Sequence, residues 1–525
     1  MKILIYDTTL RDGSQGEGIS FSVEDKIRIA RRLDAFGMDY IEGGWPGAAP
    51  KDTEFFARMR DIPLEHSRLA AFGSTRRSHV ACESDPLLAE LLAAGTPVVT
   101  IVGKASAWHV RETLRVPPEE ALAMIRDTVA YLKAHGREVV YDPEHFFDGY
   151  KEDRGFTLAA LQAAADAGVD VLCLCDTNGG TLPHEISEIV ADVVARFPGL
   201  TIGMHPHNDG DCGTANALAA VRAGATHVQG TVNGYGERTG NANILTIAAN
   251  LRLKMGYDVL SEEAMSDLTR LSAFVDETAN VTPNPRLPYV GRNAFTHKAG
   301  LHADAISKAP TAYDHIDPTV VGNARRLLVS ELSGGATIAQ KAADLGYVLD
   351  KRAPETRAVL SEVTAREHQG YSYEGAEASF ELLLKKATGR YRKLFDMVAF
   401  RVLVEKRAGD AEPITEATLR LRVNGEEFLT VAEGDGPVHA LDGALRAGLL
   451  RFYPELGSIR LTDFKVRVVT AGEGTASKVR TIVETTSDHG GIWSTVGAST
   501  NIIEASWEAI VDAMEFGLLR EVGSK

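Results

Sequence analysis

Nowhere does the 525-residue chain hold an apolar run approaching the roughly 20 residues needed to cross a bilayer, so a helical membrane protein is excluded. The opening MKILIYDTT enters a strand pattern after one lysine and lacks the plan of a secretory signal, so the expected location is cytoplasmic. Cysteine is scarce. Cys82, Cys173, Cys175 and Cys212 are too few for a disulfide framework, and Cys173 with Cys175 forms C-x-C rather than the C-x-x-C of redox and zinc sites. Basic residues are outnumbered, 56 against 72 acidic, leaving a net charge of -16. That balance speaks against nucleic acid or an anionic membrane as partner, but leaves room for a small anion held by a local cation.

What is there is a repeated phrase. Eight short apolar runs, KILIYD (2–7), MDYIEGG (38–44), RLAAFG (68–73), PVVTIVG (97–103), EVVYDP (138–143), VDVLCLCDT (169–177), LTIGMH (200–205) and THVQGTV (226–232), alternate with amphipathic helical stretches. SVEDKIRIARRLDAF shows the pattern in full: Ser22 and Asp25 are spaced as an N-cap start and Gly37 is placed as a stop. Gly95, Gly136, Gly168 and Gly224 punctuate later helix ends. Fully buried parallel strands need crossovers, and eight such units in 250 residues predict a closed α/β (TIM) barrel over 1–255, with a doubly wound open sheet as the alternative.

Residues 256–395 read as helical linker subdomains, with TPNPRLPYVG (282–291) as a connection and HQGYSYEGAEASF (368–380) as a mobile hinge. Over 396–525 the period changes to alternating strands. LRLRVNGEEFLTVAEGDGPVHALDGAL and KVRTIVETTSDHGGIWSTVGASTNIIEAS each run hairpin, strand, glycine turn, helix, with Gly434 and Gly497 in corresponding places. An α+β domain with an internal twofold repeat is expected, of a kind that binds regulators rather than doing chemistry.

In a parallel barrel the C-terminal strand ends share one mouth. Asp7, Arg11 and Asp12 follow the first strand; His205 and His207 end the seventh, and their spacing by two puts both imidazoles on one face. With Asp12 they make two nitrogens and a carboxylate, a set suited to a divalent catalytic metal such as Mn, Mg, Zn or Co. Asn241, in NGYGERTGNAN (233–243), is placed to reach the same mouth. Asp142, Glu144 and His145 follow strand five, Glu144 being either an orienting base or a turn acid. Asp176 and Thr177 end strand six and either contact an anionic substrate or cap a turn.

DTTLRDGSQ, HPHND and NGYGERTGNAN, in that order, strongly resemble the Claisen-condensing acyl-CoA synthases that include 2-isopropylmalate, homocitrate and citramalate synthases. The resemblance spans essentially the whole chain. It implies Asp12, His205 and His207 as metal ligands with Asn241 in or near the coordination sphere, Arg11 steadying a 2-oxo acid and its developing oxyanion, Glu144 near acetyl-CoA, and Thr177 holding the oxo-acid carboxylate. HKAGLHADAISKAPTAY (297–313) resembles the family segment whose catalytic histidine and tyrosine, matched by His302 and Tyr313, reach across a homodimer. Asp7 would support the metal ligands from behind. DGSQGEG and EGGWPGAAPKD resemble the long citramalate synthase subgroup, implying pyruvate as acceptor, a place in isoleucine biosynthesis and isoleucine as effector at the C-terminal domain. The alternative acceptor is 2-oxoisovalerate, as in 2-isopropylmalate synthases, with leucine as effector. A metal-dependent retro-aldol lyase and a noncatalytic amino-acid sensor are the other classes, disfavoured by the C-terminal domain and by the intact metal set respectively.

Overall fold

The structure, a computed structural model, describes residues 1–298, 302, 305, 306, 308–330, 333–407, 409, 412–470 and 474–522. Its first compact unit comprises Met1–Phe295 with Ile316–Ala324, and its second Thr296–His315 with Arg325–Lys525.

In the first unit the eight apolar runs form β1 (Leu4–Asp7), β2 (Tyr40–Glu42), β3 (Arg68–Ser74), β4 (Val98–Lys104), β5 (Glu138–Glu144), β6 (Val171–Asp176), β7 (Thr201–Pro206) and β8 (His227–Gly230). They pair in chain order, all parallel, and β1 closes on β8 through Leu4↔His227 to Asp7↔Gly230. The barrel reading, not the open sheet, is the one realised. The helix Val23–Phe36 begins with a capping box, Ser22 Oγ accepting from the Asp25 amide while the Asp25 carboxylate accepts from the Ser22 amide, and ends at Gly37, whose φ of 93° needs a residue without Cβ.

Alternation along the strands decides what fills the barrel. Tyr6, Tyr40, Ala70, Val98, Val140, Val171 and Cys173 pack together inside it. Two residues further along β3, β5 and β6, and four along β4, the same parity delivers Phe72, Asp142, Cys175 and Val102 to the mouth. A much larger apolar cluster lies between the barrel wall and the helices that surround it.

Of the stretch expected to be linker, residues 256–295 are built onto the barrel. The helix Leu268–Thr278 packs on Val23–Phe36, Arg32 pairs with Asp267, and Asp276 Oδ1 accepts from Asn233 Nδ2 at 2.6 Å and from the Tyr235 hydroxyl.

In the second unit a two-residue parallel ladder joins β9 (Thr296–His297) to β10 (Arg326–Leu327). Three strands, β11 (Asp396–Glu405), β12 (Ile414–Val423) and β13 (Glu426–Gly434), form an antiparallel sheet followed by the helix Pro437–Leu449. The order recurs in β14 (Ile459–Val468), β15 (Val479–Ser487), β16 (Ile492–Ser499) and the helix Ile502–Val522. Each unit thus has three strands and begins one strand before the stretch matched in the sequence, and the register irregularity at Met397/Ala399 recurs at Leu461/Asp463. The matched glycines have one cause: a Cβ on Gly434 would lie 2.5 Å from the Ala440 amide nitrogen, and one on Gly497 would overlap the Ala505 carbonyl oxygen, each where the following helix returns onto its sheet.

The segment expected to be a mobile hinge is instead pinned. Tyr371 and Tyr373 are buried, and Arg480 donates to the carbonyls of Gly370 and Tyr371. Along the last helix Glu508, Asp512 and Glu515, spaced to share one face, accept from Tyr371 Oη (2.5 Å), Ser379 Oγ (2.7 Å) and Tyr391 Oη (2.7 Å). Among the described residues no helix is long and apolar enough to cross a membrane.

Candidate active site

Asp12, His205 and His207 are brought together at the barrel mouth, one ligand atom of each within 4.8 Å of the others, and all three are buried. His205 lies in β7 and His207 one residue past its end, their ring centroids 5.3 Å apart. His205 Nδ1 donates to Gln229 Oε1 at 2.6 Å, which leaves Nε2 turned to Asp12 Oδ2 at 3.2 Å. Burial pushes the Asp12 carboxyl up, but Arg11 and His205 beside it outweigh burial and hold it well below the usual carboxylate range. Burial, then the charge of His205, lowers His207 to about 4, so its ring is neutral. Against burial, Asp12 raises the pKa of His205, so an anionic oxygen and one neutral imidazole stand ready for a divalent cation, whose binding would displace the proton from the other.

Two atoms test whether a metal fits. His207 Nδ1 and Asn241 Oδ1 are buried without a hydrogen-bond partner, and Asn241 bridges to His207 across a short antiparallel contact. Unpartnered buried polar atoms on two bridged residues, one of which stands beside a carboxylate and a second imidazole, suit an oxygen- and nitrogen-binding divalent ion.

Arg11 is fixed on three sides. Its Nε donates to Glu42 Oε1, its NH1 lies 3.3 Å from Asp12 Oδ2, and its guanidinium carbon stands 3.8 Å over the Phe72 ring. Glu42, fully buried, also accepts from Tyr6 Oη at 2.7 Å, and Tyr6 bonds Thr100 at 2.6 Å. Behind His205, Gln229 Nε2 donates to Asp142 Oδ1 at 3.4 Å, and burial raises the Asp142 carboxyl to about 7. Glu144 is paired with Lys104, and Thr177 Oγ1 accepts from the His145 amide at 2.8 Å. Arg11, Asp142, Glu144 and Thr177 line, with Asp12, His205 and His207, one cavity of about 250 Å³; Glu42 and Gln229 stand behind its wall.

One open alternative is decided here and one expectation is corrected. Asp176 caps a turn, accepting from the Thr181 amide and hydroxyl. Asp7 does not touch the ligand triad: both its oxygens accept from Thr9, whose hydroxyl accepts in turn from the Val232 amide, so Asp7 shapes the turn that presents Arg11 and Asp12. Burial raises Asp7 to about 7 against hydrogen bonds from Thr9 that lower it. Asp7 thus holds its proton more tightly folded than unfolded, and its contribution to stability falls as pH rises from about 4 to about 7. Asp7→Asn should flatten that slope, read from urea midpoints at pH 4.5 and pH 7; an unchanged slope would show that Asp7 ionises normally in the fold.

His302 and Tyr313 lie in the second unit, their rings stacked 4.0 Å apart at 25°. Residues 299–301, 303, 304 and 307 of their segment lie outside the described residues.

A family model described as HMGL-like matches residues 2–275, one described as homocitrate synthase post-HMGL domain-like matches 289–369, and one described as LeuA allosteric (dimerisation) domain matches 374–518. An (R)-citramalate synthase from Aquifex aeolicus is 49% identical over 99% of this chain and 98% of its own, and one from Geobacter sulfurreducens is 49% identical over 98% and 97%. The chain belongs to the citramalate synthase family. A 2-isopropylmalate synthase from Pyrococcus furiosus, matched over 98% of each chain, is 30% identical.

Sequence reasoning missed Glu42 and Gln229. Strand parity was the available signal, since both share the inward phase of Tyr40 and His227, one step nearer the mouth.

Proposed function

We propose that this chain condenses acetyl-CoA with pyruvate and water, giving (R)-citramalate and CoA, as an acyltransferase of isoleucine biosynthesis. The observation that carries the reading is 49% identity to (R)-citramalate synthases along nearly the whole chain, against 30% for a 2-isopropylmalate synthase.

Asp12, His205, His207 and Asn241 would hold the divalent ion, which when bound supplies Lewis-acid polarisation of the acceptor's 2-oxo group. Arg11, kept in place by Glu42 and Phe72, steadies the oxo acid and the charge that develops on its oxygen. Thr177 holds the carboxylate. The methyl group of a thioester is a very weak acid, so a base must stand close to it; His302, with Tyr313 and Glu144, removes that proton. The carbanion attacks the ketone carbon, and hydrolysis of the thioester releases CoA and makes the reaction effectively irreversible.

The barrel, with residues 256–295 built onto it, serves as the catalytic domain, the rest of the stretch to 395 as linker and 396–525 as an allosteric domain that takes isoleucine. The protein works as a cytoplasmic homodimer. CoA release measured in parallel with pyruvate, 2-oxobutyrate, 2-oxoisovalerate and 2-oxoglutarate should be fastest with pyruvate; a higher kcat/KM for 2-oxoisovalerate would overturn the reading.

A further inference from the structure

Tyr313 follows a single turn, Pro310–Ala312, and is 49% exposed, so its own burial does not account for its ring lying flat on His302. An exposed ring free to rotate must be ordered each time it is used, which costs entropy at the moment of reaction. The next residue supplies the constraint. The Asp314 side chain is 2% exposed; its Oδ1 accepts from His297 Nε2 at 2.8 Å and its Oδ2 from Arg325 Nε at 2.5 Å. His297 ends β9 and Arg325 directly precedes β10, and the Leu328 amide donates to the His297 carbonyl at 2.9 Å, so the ladder presents both donors to one carboxylate. The His297 ring stands edge-on to both members of the stack, 6.3 Å from His302 and 6.4 Å from Tyr313.

We propose that Asp314 is a positioning residue: clamped between His297 and Arg325, it anchors the backbone beside Tyr313 and the His297 ring against the stack, and so keeps Tyr313 on His302. The inference rests on reading His302 and Tyr313 as the proton-transfer pair. A buried carboxylate with two charged or polar donors has one geometry that satisfies it, and that uniqueness is passed to its neighbours.

Asp314→Asn keeps the shape but offers an amide N–H where Arg325 needs an acceptor, so one side of the clamp opens. In the full-length enzyme kcat for CoA release should fall about 10- to 100-fold, the range seen when a supporting partner is lost, with KM for pyruvate changing less than about threefold. Asp314→Glu should recover most of the loss. Selective ¹³C-histidine labelling supplies a readout independent of turnover: stacking on Tyr313 displaces the His302 ring resonances upfield, and Asp314→Asn should abolish that displacement. An unchanged displacement, or an unchanged kcat, overturns the proposal. His302→Ala measured alongside keeps the two readings apart, because full activity there would remove the pair from the reaction while the spectra still report on the clamp.

Discussion

Replacing His207 with alanine should lower kcat by about a thousandfold or more while leaving the far-ultraviolet spectrum and the melting temperature close to those of the parent. Lewis-acid polarisation contributes several kcal/mol, and each loss of about 1.4 kcal/mol is tenfold in rate. The fold should tolerate the change because the ring nitrogen His207 Nδ1 has no protein partner to lose. Divalent metal bound per chain after dialysis should fall in step with activity. A chelator should reproduce the effect in the parent enzyme, and added Mn, Mg, Zn or Co should reverse it; full activity in the metal-stripped enzyme would remove the ion from the reaction altogether.

Glu42→Ala should be costly in a different way. The substitution leaves the part-buried Arg11 guanidinium with Asp12 as its remaining carboxylate and the buried Tyr6 hydroxyl without this acceptor, since Arg11 and Tyr6 both donate to Glu42. Breaking a buried pair from one side destabilises by about 3–5 kcal/mol. For a domain of this size that corresponds to a fall of roughly 6–20 °C in the barrel's calorimetric transition. Activity should drop as well, because Arg11 is freed to leave Phe72. Glu42→Gln keeps a neutral acceptor and should cost less in both measurements. A transition within about 2 °C of the parent in Glu42→Ala would mean that Arg11 is held by Asp12 and Phe72 alone.

The contrast between these two residues says what a sequence exposes. His205 and His207 were legible because histidines at a strand end, with an aspartate after another strand, have few structural uses. Glu42 was not, because a carboxylate closing a short strand reads as surface until the barrel shuts and sets it against Arg11, 31 positions away. Gln229 is hidden for the same reason; only the β7–β8 neighbourhood gives it His205. The eight strands themselves were visible because strands buried on both faces are uniformly apolar and sharply bounded by turns. HQGYSYEG misled because Gly and Ser signal a loop, whereas the two tyrosines beside them decide that the loop is fastened.

The row of acids on the final helix carries a consequence for assembly. Turning that helix by one residue would swing Glu508, Asp512 and Glu515 about 100° away from their hydroxyl partners at once. Apolar ridges alone tolerate such slippage, since one greasy contact is much like the next. A partly or fully buried carboxylate stripped of its donor does not. Three polar latches on one helix therefore admit a single docking phase, and what they add to the domain is uniqueness of assembly more than strength.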